Sequence, residues 1–91
     1  MTARYTVVFA KAAEKEFDAI VERNRDLGER LSKAIARLAE DPRRGEFLRG
    51  PWKGYWKYRV GDYRIIYRIE HQRLIIYIVT VGHRGEAYRV L

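Results

Sequence analysis

Apolar side chains recur along this chain with two different periods, and the change of period divides it. Arg4 to Phe9 is a short β-branched and aromatic run that predicts a first strand. A helical period follows: Ala13, Phe17, Ile20 and Val21 repeat at i, i+4, i+7 and i+8, and Leu31, Ala34, Ile35 and Leu38 at i, i+3, i+4 and i+7. These spacings predict two amphipathic helices. Asn24-Arg25-Asp26 breaks the first, and Asp26 with Glu29 resembles a capping box opening the second. Asp41-Pro42 stops the second helix, because proline restricts its predecessor and cannot continue the hydrogen-bond ladder. Residues 42–54 carry both prolines and three glycines, which predicts a crossing loop with at most a short extended piece.

Beyond the loop the period falls to two. Tyr55 to Val60, Tyr63 to Glu70 and Leu74 to Val81 are rich in Tyr, Ile and Val, and Gly61-Asp62 between the first two is a hairpin signal. The last run is apolar at nearly every position, the pattern of a central strand covered on both faces, with Gly82 ending it. The predicted fold class is α+β, in the order β-α-α-β-β-β, with the helical hairpin packed on one face of a small, mostly antiparallel sheet. Ninety-one residues suit a single domain, 1–91, with one core.

A two-residue loop at Gly61-Asp62 sets Val60 against Tyr63, then Arg59 against Arg64, Tyr58 against Ile65, Lys57 against Ile66, Trp56 against Tyr67 and Tyr55 against Arg68. Opposed residues share a face, and faces alternate. Trp56, Tyr58, Val60, Tyr63, Ile65 and Tyr67 therefore suit the helices, while the other face gathers Tyr55, Lys57, Arg59, Arg64, Ile66 and Arg68. Four cations with no acid on one small face repel one another. Arginines on an exposed face also serve solubility and block edge pairing, but this concentration points to a polyanionic partner, with tyrosine as a stacking surface for an unpaired base.

Composition strengthens that reading. The net charge is +7. Residues 1–42 hold eight basic and eight acidic side chains, and residues 43–91 hold eleven basic and four acidic, so the whole excess lies in the C-terminal part. There is no cysteine, which excludes disulfides, thiolate metal sites and a cysteine nucleophile, and fits a reducing cytoplasm. Two histidines, His71 and His83, in an acid-poor C-terminal part argue against catalytic zinc, so no metal or other cofactor is expected. The longest apolar run, Leu74 to Val79, is far short of the roughly 20 residues of a membrane helix. Val7 to Ala10 is too short for a secretory signal, and no export is expected.

Gly82-His83-Arg84, followed by Tyr88, forms a second candidate cluster. Histidine titrates near about pH 6.5 and suits proton transfer, although a lone turn histidine more commonly does nothing of the kind. Guanidinium groups beside such an acid or base would stabilise charge on a phosphoryl group. His71 reads as a turn residue, and Trp52 and Trp56 as core or loop anchors. No Walker loop, zinc motif or Ser-His-Asp pattern is present.

The run from Trp56 to Tyr67, WKYRVGDYRIIY, then Val81-Gly-His-Arg84 and Tyr88, resembles the RelE branch of the RelE/ParE toxin superfamily. The resemblance extends over nearly the whole chain. It implies the toxin of a type II toxin–antitoxin pair, a metal-independent endoribonuclease that cleaves mRNA in the ribosomal A site by 2′-hydroxyl attack. It implies phosphate-stabilising roles for Arg64 and Arg84, a catalytic tyrosine at Tyr88, a catalytic lysine at Lys57 and an RNA contact at Arg59. Lys53, Tyr55 and Arg68 are further RNA-binding candidates on the same basic segment. Where some members carry a further lysine, this chain has Tyr55, so His83 and Lys57 both stand as candidates for the general base. Lysine fills that role when neighbouring cations depress its pKa. The resemblance also implies a small acidic RelB-like antitoxin in a heteromeric complex and a cytoplasmic location, with no membrane partner. Two alternatives are a ParE-like DNA gyrase inhibitor without RNase activity and an inactive relative that only binds its antitoxin.

Overall fold

The computed structural model describes residues 4–83. Strand β1 (Thr6–Phe9) leads into helix α1 (Lys11–Arg23) and then helix α2 (Arg25–Glu40); a short strand β2 (Glu46–Phe47) precedes β3 (Trp56–Val60), β4 (Tyr63–Glu70) and β5 (Ile75–His83). The sheet runs in the order β1-β5-β4-β3-β2. Only β1 and β5 are parallel; the other three pairings are antiparallel. This is the predicted α+β arrangement, with β2 added at the edge where the sequence suggested a short extended piece. Among the described residues no helix is long and apolar enough to cross a membrane.

The helices form where their periods place them, but the boundary between them is capped differently from the sequence expectation. Asn24, not Asp26, is the N-cap: its side-chain oxygen accepts from the Leu27 N–H at 3.1 Å. An extended residue with a short polar side chain can satisfy a free helical N–H, and Asn24 does so while its own N–H bonds back to the Ile20 carbonyl of α1. One residue thus closes the first helix and opens the second. Helix α2 ends at Glu40, immediately before Asp41-Pro42.

The core lies between the helices and one sheet face. Ala13, Ile20, Leu31, Leu38, Ile65, Tyr67, Ile76, Ile78 and Val81 belong to it, and Trp56, Tyr58, Val60, Tyr63 and Phe17 pack around it. Observed pairings from Val60↔Tyr63 to Trp56↔Tyr67 match the predicted register. Positive φ occurs at Gly61 (60°) and not at Asp62, the glycine-first pattern of a type II′ hairpin. Strand β3 begins at Trp56, so Tyr55 stands just outside the ladder rather than opposite Arg68.

Strand β5 departs most from expectation. Ile76 and Ile78 are fully buried, whereas Ile75, Tyr77 and Val79 on its other side are only half covered. Gly82 does not end the strand, which continues to His83 because both residues still pair with β4. The ladder also slips: Tyr67 pairs with Ile78 but Ile66 pairs with Thr80, which leaves Val79 as the extra residue of a β-bulge.

Tyr67 ties the loop to the core. Its fully buried hydroxyl donates to the Pro42 carbonyl at 2.6 Å, and burial pushes its pKa well above the ordinary tyrosine value. A raised folded-state pKa means that this contribution to stability is whole below the unfolded value of about 10 and is lost as the pH rises beyond it. Tyr67→Phe should therefore cost about 1–3 kcal/mol at neutral pH, by leaving the Pro42 carbonyl unpaired. Urea unfolding of both proteins should show the deficit narrowing above about pH 10.

Candidate functional site

The hairpin that turns Tyr63, Ile65 and Tyr67 toward the core turns the alternate residues to the opposite face. Lys57, Arg59, Arg64, Ile66 and Arg68 lie there, with Arg59 directly opposite Arg64. On its other side Arg64 pairs with Gly82, which presents no side chain. Arg64 thus stands between a second arginine and an open backbone. Its side chain is half-buried, and its Nη1 is the only buried side-chain nitrogen or oxygen among the described residues without a hydrogen-bond partner. An unpaired buried N–H costs about 1–3 kcal/mol, and more when charged, so this donor is free to take an acceptor that the described residues do not supply.

Two further groups flank Arg64 on this face. The mostly buried Lys57 lies 3.6 Å, Nζ to Oε1, from exposed Glu46, brought beside it by the Glu46↔Lys57 pairing of β2 with β3. Arg59 is exposed and makes no ion pair among the described residues. Arg68 sits four residues from Arg64, about 13 Å along the strand, and its guanidinium lies 4.7 Å from the Tyr77 ring centre. At that end one cation is neutralised: Arg73 pairs with Glu70 and donates to the Tyr77 hydroxyl, the Arg73 hydrogen bond holds the Glu70 carboxyl below its ordinary value, and Arg68 makes no ion pair among the described residues. The uncompensated charge is concentrated around Arg59 and Arg64.

The other sequence candidates are distributed around this centre. Tyr55 stacks edge-on against Trp52, ring centres 5.6 Å apart, and Lys53 is exposed in the turn before it. His83 does not join Arg64. It pairs with Tyr63, whose ring it meets edge-on at 5.3 Å, and lines a cavity of about 220 Å³ on the helix side with Glu16, Ile20 and Arg23. The bulge at Val79 reverses the alternation and carries His83 there. Arg84 and Tyr88 lie outside the described residues. His71 is a turn residue, its Nδ1 3.1 Å from the Tyr5 hydroxyl.

Two carboxylates escaped the sequence reading. Glu46 lies in a segment without periodicity, so only the two-residue pairing with β3 reveals its place beside Lys57. Glu16 accepts from the Thr80 hydroxyl and the Val81 N–H, both at 3.0 Å. It does have a signal: it stands at i+3 from Ala13 and i−4 from Ile20, a polar residue within an inward-facing apolar stripe.

Chemically, the face offers a half-buried guanidinium with a free donor, a second guanidinium opposite it, and an ammonium paired with a carboxylate. Such a set can bind a phosphodiester and move a proton beside it. Comparison with known proteins agrees with a toxin fold. The model of the ParE toxin of type II toxin–antitoxin systems, parDE, matches residues 7–88. Toxin RelG of Mycobacterium tuberculosis is 33% identical over 86 residues, which cover 93% of this chain and 97% of RelG. Among solved structures, a RelBE toxin–antitoxin complex from M. tuberculosis is similar with TM-score 0.78 and 30% identity, over 93% of this chain and 97% of that one. A double arginine-to-alanine mutant of Escherichia coli toxin RelE, in the free state, is similar with TM-score 0.76 and 25% identity, over 97% and 99% of the two chains.

The Arg59–Arg64 pairing yields a stability test. Arg59→Thr removes a like-charge cross-strand pair and should raise the thermal midpoint at low ionic strength. The gain should shrink toward 1 M salt, where the screening length falls to about 3 Å. Thermal unfolding across a salt series checks both expectations.

Proposed function

This chain belongs to the RelE/ParE toxin family of type II toxin–antitoxin systems, and from that premise we propose that it is a ribosome-dependent endoribonuclease that cuts mRNA in the A site without a metal ion. The observation that carries this reading is the buried, unpartnered Nη1 of Arg64 on an uncompensated cationic face. In the reaction the 2′-oxygen attacks the adjacent phosphorus and the bond to the 5′-oxygen breaks. The products are a 2′,3′-cyclic phosphate and a 5′-hydroxyl. One proton leaves the 2′-hydroxyl and one reaches the departing 5′-oxygen.

Arg64 stabilises the charge that builds on the non-bridging oxygens, with Arg84 as its partner. Tyr88 assists the leaving oxygen or stacks on a base. Placement on the same face as Arg64 favours Lys57 over His83, which lies on the helix side, as the group that handles the 2′-hydroxyl proton. Arg59, Arg68, Lys53 and Tyr55 contact the RNA around the scissile bond. The site of action is then the cytoplasm, and the domain acts as one unit over residues 1–91. A small acidic RelB-like antitoxin covers the basic face; the similar M. tuberculosis toxin was crystallised in a toxin–antitoxin complex.

A second reading has a specific observation in its favour, because the matching family model is that of ParE toxins. In it the chain inhibits DNA gyrase and cuts no RNA.

Primer extension on a defined message in a translating extract separates the two. Wild-type protein should give discrete, ribosome-positioned cuts, and folded Arg64→Ala should cleave roughly 10²–10³-fold more slowly, as when an oxyanion donor is removed. No cuts, together with strong inhibition in a gyrase supercoiling assay, would replace the nuclease reading. Co-expression with the neighbouring open reading frame should recover a tight complex whose association slows as salt rises; a toxin recovered free and harmless would remove the antitoxin proposal.

A further inference from the structure

We propose that Glu16 is a positioning residue whose carboxylate holds the β5 bulge and thereby sets what faces Arg64; the inference rests on the nuclease reading above. Strand β1 ends at Phe9, opposite Ile78, so from Val79 onward no strand among the described residues pairs with β5 on that side. The β4 ladder slips at the same point. Backbone donors in such a segment need another acceptor. Glu16 on α1 supplies it: one oxygen, Oε1, accepts both the Val81 N–H and the hydroxyl of fully buried Thr80. Among the described residues this carboxylate makes no ion pair, so its visible work is this clamp.

The consequence for the site follows from register. With the bulge, Gly82 stands opposite Arg64, Val81 packs in the core opposite Ile65, and His83 turns to the helix side. Were the ladder to continue from Tyr67↔Ile78 without an extra residue, Thr80 would stand opposite Ile65 and Val81 opposite Arg64. A branched apolar side chain would then take the open place beside the phosphate-binding guanidinium, and Thr80 would replace Val81 opposite Ile65. Glu16 makes the bulged register the satisfied one. It touches no reacting atom, and acts by fixing the strand end from which Arg84 follows in sequence.

Single-turnover and steady-state cleavage of a ribosome-bound message by wild type, Glu16→Ala and Glu16→Gln tests this, with hydrogen exchange at the Val81 amide measured on the same free proteins. Glutamine keeps an acceptor oxygen without the charge. Glu16→Ala should lower kcat about 10–100-fold, the scale of a roughly 1 Å misplacement, with KM within about twofold. Glu16→Gln should stay within about threefold of wild type, and Val81 exchange should accelerate only in Glu16→Ala. If Glu16→Ala fails to fold, Thr80→Val, which removes one of the two donors, should give a smaller loss of kcat alone. Unchanged kcat in a folded Glu16→Ala or Thr80→Val protein would overturn the proposal. So would a Glu16→Gln protein as slow as Glu16→Ala, since a charge effect would then replace positioning. Wild-type protein that cuts nothing would overturn the nuclease reading, and this role with it, a failure visible before any variant is compared.

Discussion

The two-residue turn at Gly61-Asp62 is the constraint on which the rest of this molecule depends. It locks Val60 against Tyr63 and so decides, for every residue of β3 and β4, which side of the sheet it occupies. A slip of one position would set Arg59 opposite Tyr63 or Ile65, so that one of the two strands would have to turn its cations toward the helices or its core residues outward. Burying unpaired guanidinium groups is prohibitive, so the hydrophobic face and the cationic face enforce the same register. The core and the site are two sides of one decision.

That decision leaves a local cost in the free protein. Arg59 faces Arg64 with no acid between them, and one donor of Arg64 is buried without an acceptor. Elsewhere on the same face acids sit beside two of the cations, Glu70 on Arg73 and Glu46 on Lys57. The contrast is informative: two of the peripheral cations have an acid beside them, and the opposed pair Arg59 and Arg64, where Gly82 keeps the backbone open, has none. Strain of this kind is relieved by an anion, and a phosphodiester brings oxygen acceptors and negative charge together.

Much of this was legible in the sequence because its signals are local. The helical periods, the Asp41-Pro42 stop, the extent of β4 and the hairpin register all follow from residues close in the chain. What was not legible depends on partners distant in sequence. Asn24 outcompetes Asp26 as cap because it also closes α1. Glu46 acquires its place through a two-residue strand that no period announces. The Val79 bulge is held by a side chain 65 residues from Val81, and it turns His83 away from the arginines that its neighbour Gly82 faces. Sequence alternation alone cannot register an inserted residue. The positions of Arg84 and Tyr88 remain readings from the sequence.

In the proposed reaction Arg64 works through directed hydrogen bonds from a preorganised planar group, not through charge alone. Single-turnover cleavage of a ribosome-bound message by Arg64→Lys separates the two, because lysine keeps the charge and loses the fork. The rate should fall at least about tenfold below wild type, with the fold intact, equivalent to the loss of one well-placed charged hydrogen bond. Cleavage by Arg64→Lys at the wild-type rate would contradict it.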